Sequence, residues 1–472
     1  MNRIVRNLLL LLAGIVVSDA AAQEPQRIKG PDERYKVDIL VVVAHPDDEG
    51  GVTPYLARAI YDLHKTVAVV YGTRGGSGGN DYRREHGPAM ADVREIEARQ
   101  ACAKFGIDKV WFLGGKDTAS QNVLNSLANW GHGESLEELV RIVRLTRPEV
   151  IISWLPSIFI GENHGDHQAA GVLATEAFDL AGDPVAFPAQ AAGASKRLEP
   201  YLENLTPWQP KKIYFFSDAR DSKRFTGKGF AYSVREISPS QKKPYWFLAM
   251  DSARLHLTQF PEEAQRMAGL SEAEIEKLMS DPKNLWWSEP ETLIFGKSVN
   301  PGPTAAAGDI FDGIVTGEEI VGEPPRRQLA SILPLAEETQ LYLGGPWLFY
   351  KEFRQAHWVL GLPQPATPEI AVKSGSLLYV PLVVLHKGGI PLSITIKVAA
   401  PEGWKVTSGE GRLLLPAEHQ TALRVEIQTP ELSADALKTE QPQNVSVQLI
   451  VDGKQIGLVQ LNVLLGKSGL PQ

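Results

Sequence analysis

Cysteine is nearly absent from this chain: Cys102 is the only one in 472 residues. One thiol makes no intrachain disulfide and builds no thiolate cage, so any metal site must draw on imidazoles and carboxylates. Cys102 follows the apolar positions Ala98 and Ala101 and precedes Phe105, which reads as a buried helix residue rather than a nucleophile. An excess of positive charge is also missing. With 48 Lys and Arg against 56 Asp and Glu, the net charge is -8, so nucleic acid is not an expected partner.

Long apolar runs are absent beyond the N-terminus. There, Arg3 and Arg6 precede an apolar run from Leu8 to Val17 and then Ala20, Ala21 and Ala22. This order reads as a signal peptide over residues 1–22, since a spanning helix needs roughly 20 apolar residues. The expectation is an exported protein, periplasmic or secreted, with no integral membrane segment after signal cleavage.

What is present is too long for one typical domain. Residues 37–44 (VDILVVVA) and 66–71 (TVAVVY) are continuous apolar runs of the kind found in strands covered on both faces. Helical spacing follows over 53–63, 90–105 and 136–145, and further strands are expected at 110–113 and 150–154. The fold class expected is α/β: a Rossmann-like open, mostly parallel sheet, followed by a C-terminal all-β immunoglobulin-like sandwich read from short alternating runs after residue 365. The domain expectation is 23–325 for the α/β domain, 326–365 for a connector and 366–472 for the sandwich.

In such a sheet a ligand sits beyond the carboxyl ends of the strands. Two polar clusters fall there. The first is Ala44-His45-Pro46-Asp47-Asp48-Glu49, directly after the first strand, and the second is Glu162-Asn163-His164-Gly165-Asp166-His167, after the strand ending at Trp154. A helix cap explains one acid at such a position, but not a histidine with three acids. His45, Asp48 and His167 supply two neutral imidazoles and one carboxylate, which leaves a divalent ion its Lewis acidity and an open position. Asp47 is then the uncommitted carboxylate, a general base toward attacking water. His164 is the free histidine, able to donate to a developing oxyanion, with Asp166 either its hydrogen-bonded partner or a solvated loop acid.

At these residues the sequence resembles the PIG-L or LmbE-like N-acetylglucosaminyl deacetylases, in the AHPDDE run at 44–49 and the HGDH run at 164–167. The family includes the glycosylphosphatidylinositol de-N-acetylase and bacterial enzymes of mycothiol and bacillithiol synthesis. The resemblance implies zinc on His45, Asp48 and His167, with Asp47 as base and His164 as electrostatic stabiliser. It also implies Arg94 as a substrate contact, against which stands an ordinary helix-surface ion pair with Glu97 or a neighbour. It extends to His256-Leu257-Thr258-Gln259, where the family's usual serine is Thr258. The loop bearing Arg74, Gly75 and Gly76 departs at a place where many relatives carry an acid.

The function expected is a metal-dependent hydrolase that removes an N-acetyl group from an amino-sugar-like small molecule or glycan. The ion is Zn2+, with Fe2+ as the other divalent candidate. Two alternatives stand beside it. A nucleotide-binding oxidoreductase is disfavoured because HPDDE, not G-x-G-x-x-G, follows the first strand. A non-catalytic carbohydrate-binding protein would hold a structural metal and stack sugars on Trp130, Trp286 or Trp287.

Overall fold

The computed structural model describes residues 31–80, 84–158, 164–192, 203–218, 228–259, 267, 269–281, 284–299, 308–314, 338–357, 367–439 and 441–466. The expected signal peptide and half of the expected connector lie outside them.

The first two apolar runs form β1 (Ile39–Val43) and β2 (Val67–Thr73), every residue of which is buried. Each fully buried Val, Leu or Ile contributes roughly 1.5–3 kcal/mol, so these strands anchor the domain. β3 (Lys109–Gly115), β4 (Val150–Trp154) and β5 (Lys212–Phe216) extend the sheet in parallel. β6 (Gly229–Tyr232) and β7 (Glu291–Ser298) complete it in antiparallel fashion. The order β3-β2-β1-β4-β5-β7-β6 makes a mostly parallel sheet. It reverses direction at β1, whose neighbours are β2 on one side and β4 on the other. That junction opens a crevice beyond the strand ends, and residues 44–49 and 164–167 lie there; Glu162 and Asn163 fall outside the described residues.

Helices cover the sheet: α1 (Thr53–Tyr61), α2 (Pro88–Ala103), α3 (Val123–Asn129), α4 (His132–Thr146), α5 (Gly165–Leu180), α6 (Tyr245–Ala253) and α7 (Glu272–Met279). In α2, Cys102 is buried beside the Tyr71 hydroxyl, and burial pushes its thiol up, away from reactivity.

The C-terminal region is all-β and opens earlier than the sequence pattern implies. β8 (Thr339–Leu343) and α8 (Pro346–His357) lie inside the stretch read as connector. β8 pairs antiparallel with β10 (Leu377–His386), so the expected boundary at 366 is too late. The strand went unread because its five residues sit beside residues of mixed composition. With β12 (Lys405–Ser408) and β14 (His419–Gln428), these strands form a four-stranded sheet. The second sheet holds β13 (Gly411–Leu415), β11 (Leu392–Ala399), β15 (Gln443–Val451), β16 (Lys454–Gly466) and β9 (Glu369–Lys373) in that order. Leu382 and Val425 of one sheet share a core with Ile394 and Val447 of the other.

Candidate active site

Ala44 follows the last residue of β1, and the chain then turns through Pro46 into a single 3-10 turn, Asp48–Gly51. Asp47 sits in the turn at φ 119°, a conformation that costs a non-glycine residue of order 1–3 kcal/mol and recurs at working sites. The turn aims Asp47 and Asp48 differently.

Asp48 Oδ2 accepts three hydrogen bonds, from Ala44 N (2.9 Å), His45 N (2.8 Å) and Trp154 Nε1 (2.9 Å). Oδ1 faces His167 Nε2 at 3.2 Å. Burial opposes the charge of Asp48, but His167 and His45 outweigh it and hold its carboxyl well below the usual range. The donors fix one oxygen and leave the other directed at an imidazole.

The second cluster is carried by α5. His164 caps the helix, its Nδ1 accepting from Asp166 N at 3.3 Å, so its Nε2 carries the proton. Burial, with His167 and His45 nearby, lowers its pKa to about 2, which keeps the ring neutral. Trp154 stacks on His167 with centroids 4.0 Å apart and planes 5° from parallel.

The two clusters meet. Ligating nitrogens of His45, His164 and His167 lie within 4.8 Å of one another. His45 Nε2 contacts Asp166 Oδ2 at 3.2 Å, which leaves Nδ1, 3.6 Å from Asp48 Oδ2, as its free donor atom. Burial disfavours the imidazolium of His45, but Asp48 and Asp166 overcome it and raise its pKa. His167 Nδ1 is buried without a hydrogen-bond partner in the described structure. Imidazole nitrogens this close, with the Asp48 carboxylate beside His167, suit a divalent cation, and His45, His164, His167 and Asp48 are the residues that could hold it.

Two expectations change. Asp166 puts its carboxylate on His45 and on Thr118 N (2.7 Å), not on His164, which it meets only through its backbone. The helix start turns its side chain across the crevice. Arg94 lines the same cavity as Asp47, its guanidinium donating to Gly75 O (3.0 Å), Pro46 O (3.2 Å) and Asp47 Oδ2 (3.2 Å). It does not pair with Glu97, whose carboxylate accepts from the Thr258 hydroxyl at 2.7 Å.

Asp47 lines a cavity of about 260 Å³ together with Asp117, Thr118 and Gln259. Burial raises its carboxyl to about 6, against the pull of Arg94. Behind it, Glu49 Oε2 accepts from Asp47 N at 3.1 Å, and Oε1 meets His256 Nε2 at 2.6 Å. Asp117 and Trp154 were not expected at the site, and His256 was marked only by the resemblance at residues 256–259. Position after a strand could have flagged Asp117, but nothing local marks Trp154 as a partner of Asp48.

Trp130 is buried in the core, and Trp287 is buried with its Nε1 on Gly50 O at 2.8 Å. Neither offers a face for stacking sugars.

Residues 40–178 match the family described as PIG-L: GlcNAc-PI de-N-acetylase. The chain is 26% identical over 314 residues to a 1D-myo-inositol 2-acetamido-2-deoxy-alpha-D-glucopyranoside deacetylase of Thermobifida fusca, covering 58% of this chain and 98% of the relative. It is 29% identical over 309 residues to a Frankia casuarinae protein described as deacetylase 2 of the same kind, covering 58% and 93%. Among solved structures it aligns with the N,N'-diacetylchitobiose deacetylase of Pyrococcus horikoshii at 17% identity and TM-score 0.38, over 62% of this chain and 93% of that one. Residues 40–178 form a PIG-L family domain, in which the His45 and His167 clusters face each other across the junction of β1 and β4.

Proposed function

We propose that the chain is a zinc-dependent N-deacetylase acting on an N-acetylated amino-sugar-like substrate. The observation that carries this is Asp48, pinned at Oδ2 by three donors and turned through Oδ1 to His167, with His45 beside it and Asp47 on the cavity wall. The printed names of the curated relatives, which act on a 2-acetamido sugar, support the substrate class.

A divalent ion held by His45, Asp48 and His167 supplies Lewis acidity toward the amide carbonyl. Asp47 takes the proton of the attacking water and passes it to the departing amine. A base works best with a pKa near the working pH, and a half-buried carboxyl raised to about 6 approaches it. His164 donates from Nε2 to the carbonyl oxygen as negative charge develops there; its neutral ring and occupied Nδ1 favour that role. Asp166 fixes the His45 ring from behind, and Arg94 orients Asp47. We also read the β-rich region as immunoglobulin-like and the protein as exported, on the strength of its alternating strands and of residues 1–22.

The test is amine release from a panel of N-acetylated sugars by metal-reconstituted protein, beside a chelated control. Asp47→Asn is expected to keep its metal and lose roughly 10²- to 10⁴-fold in turnover. If no N-acetyl compound reacts under any divalent metal, the proposal fails, and metal-loaded protein that binds sugars without turnover leaves the carbohydrate-binding alternative.

A further inference from the structure

The first turn of α5 carries His164, Asp166 and His167, and the next residue, Gln168, is buried with both ends of its side chain bonded outside the helix. Its Oε1 accepts from the Tyr350 hydroxyl of α8 at 2.9 Å, and its Nε2 donates to Gln121 O at 3.2 Å. Gln121 in turn docks on β9, an edge strand whose other side pairs with β16. Its Oε1 accepts from Ala371 N at 3.2 Å and its Nε2 donates to Ala371 O, as a neighbouring strand would do.

α8 holds α5 elsewhere as well. His357 Nδ1 meets Asp179 Oδ2 at 2.7 Å near the far end of the helix, and Arg354 Nη2 donates to Ser157 Oγ at 2.7 Å on the segment that follows β4. Tyr350 and Phe353 are buried in the core of the α/β domain, while Trp347 packs against both cores. The strand just before α8 belongs to the β-rich region. A helix turn tied on so many sides has one position, and the ring of His167 moves with it.

We propose that α8 and the β-rich region form a clasp on α5, in which Gln168, Tyr350 and Gln121 are positioning residues for the cation-binding histidines. This rests on the deacetylase reading above. It gives the C-terminal region a part in the chemistry although none of its residues lines the described cavity. The driving force is the cost of leaving a buried amide unpaired, which a slip of the helix would incur.

The experiment uses the full chain loaded with Co2+, comparing wild type with Tyr350→Phe, Gln168→Leu and Phe353→Leu. The readouts are the visible ligand-field bands, the Co2+ affinity by chelator competition, and thermal unfolding. Tyr350→Phe and Gln168→Leu are expected to shift the bands and weaken Co2+ about tenfold, the order seen when groups supporting metal ligands are removed. Phe353→Leu, which thins the ring packing beside Tyr350 and His357 but keeps both hydrogen bonds of Gln168, is expected to lower the unfolding temperature and leave the bands in place. Tyr350→Phe removes a single hydroxyl, so it carries the test should Gln168→Leu fail to fold. Wild-type bands and affinity in Tyr350→Phe overturn the clasp alone. A wild-type chain that binds no Co2+ overturns the metal reading and the clasp with it.

Discussion

Arg94 Nη2 donates to Asp47 Oδ2 at 3.2 Å and, through the same nitrogen, to Pro46 O at 3.2 Å, so one buried guanidinium grips both the acid and the turn that presents it. The backbone of Asp47 is strained at φ 119°, and the fork opposes any relaxation of that turn. Lysine has no second nitrogen to hold Gly75 O while the first serves Asp47 and Pro46. Arg94→Lys is therefore expected to lower kcat roughly a hundredfold, the scale of an ångström-sized misplacement, with KM within about twofold and metal content unchanged. Steady-state kinetics beside metal analysis checks this. A large rise in KM at constant kcat would return Arg94 to the role of substrate contact.

Gly75 makes that grip possible. Its carbonyl receives Arg94 Nη1, its φ is 69°, and a Cβ added there would lie 2.3 Å from the same nitrogen. Gly75→Ala is expected to displace the guanidinium and to reduce kcat by an amount similar to Arg94→Lys. Because both changes break one unit, their combination is expected to fall well short of the product of the two. Multiplicative losses in the double variant would separate Gly75 from Arg94.

The strands of the parallel sheet were legible because apolar runs such as 39–43 and 67–71 have little alternative to a doubly covered position. So were the two motifs, since strand ends name the places where polar clusters must have a use. Partnership was not legible. Asp47 and Arg94 are separated by 47 positions, Asp48 and Trp154 by 106, and His45 and Asp166 by 121, and no local pattern encodes such distances. α8 was missed for a similar reason: its spacing is helical, but Tyr350 and Phe353 find their core in another part of the chain.

Trp154 does two things for the cation site. It donates to Asp48 Oδ2 at 2.9 Å and stacks on His167. Trp154→Phe keeps an aromatic face but removes the donor, leaving Asp48 Oδ2 with its two backbone N–H groups. The expected result is metal affinity about tenfold weaker, with turnover at saturating metal reduced less. Titration with a chelator as competitor decides it, and unaltered affinity would show that the backbone donors suffice.

Glu291 sits half-buried at the start of β7, with Oε1 accepting from Ser288 N at 2.6 Å and Oε2 from Thr292 N at 3.3 Å. Burial raises its pKa to about 7, the two backbone donors opposing and Glu289 adding to the rise. The folded state thus holds a proton that the unfolded chain releases near its ordinary value of about 4.3. Between those values the native form binds more protons, so rising pH lowers stability, by up to about 1.4 kcal/mol per pH unit from this group. The loss is complete above about pH 7. Glu291→Gln cannot ionise, so its stability is expected to lack this slope. It also gives up one of two acceptors, so it starts below wild type near pH 5 and closes the gap as pH passes 7. Thermal unfolding of both proteins at pH 5, 6, 7 and 8 checks this, and parallel curves would mean that Glu291 titrates normally.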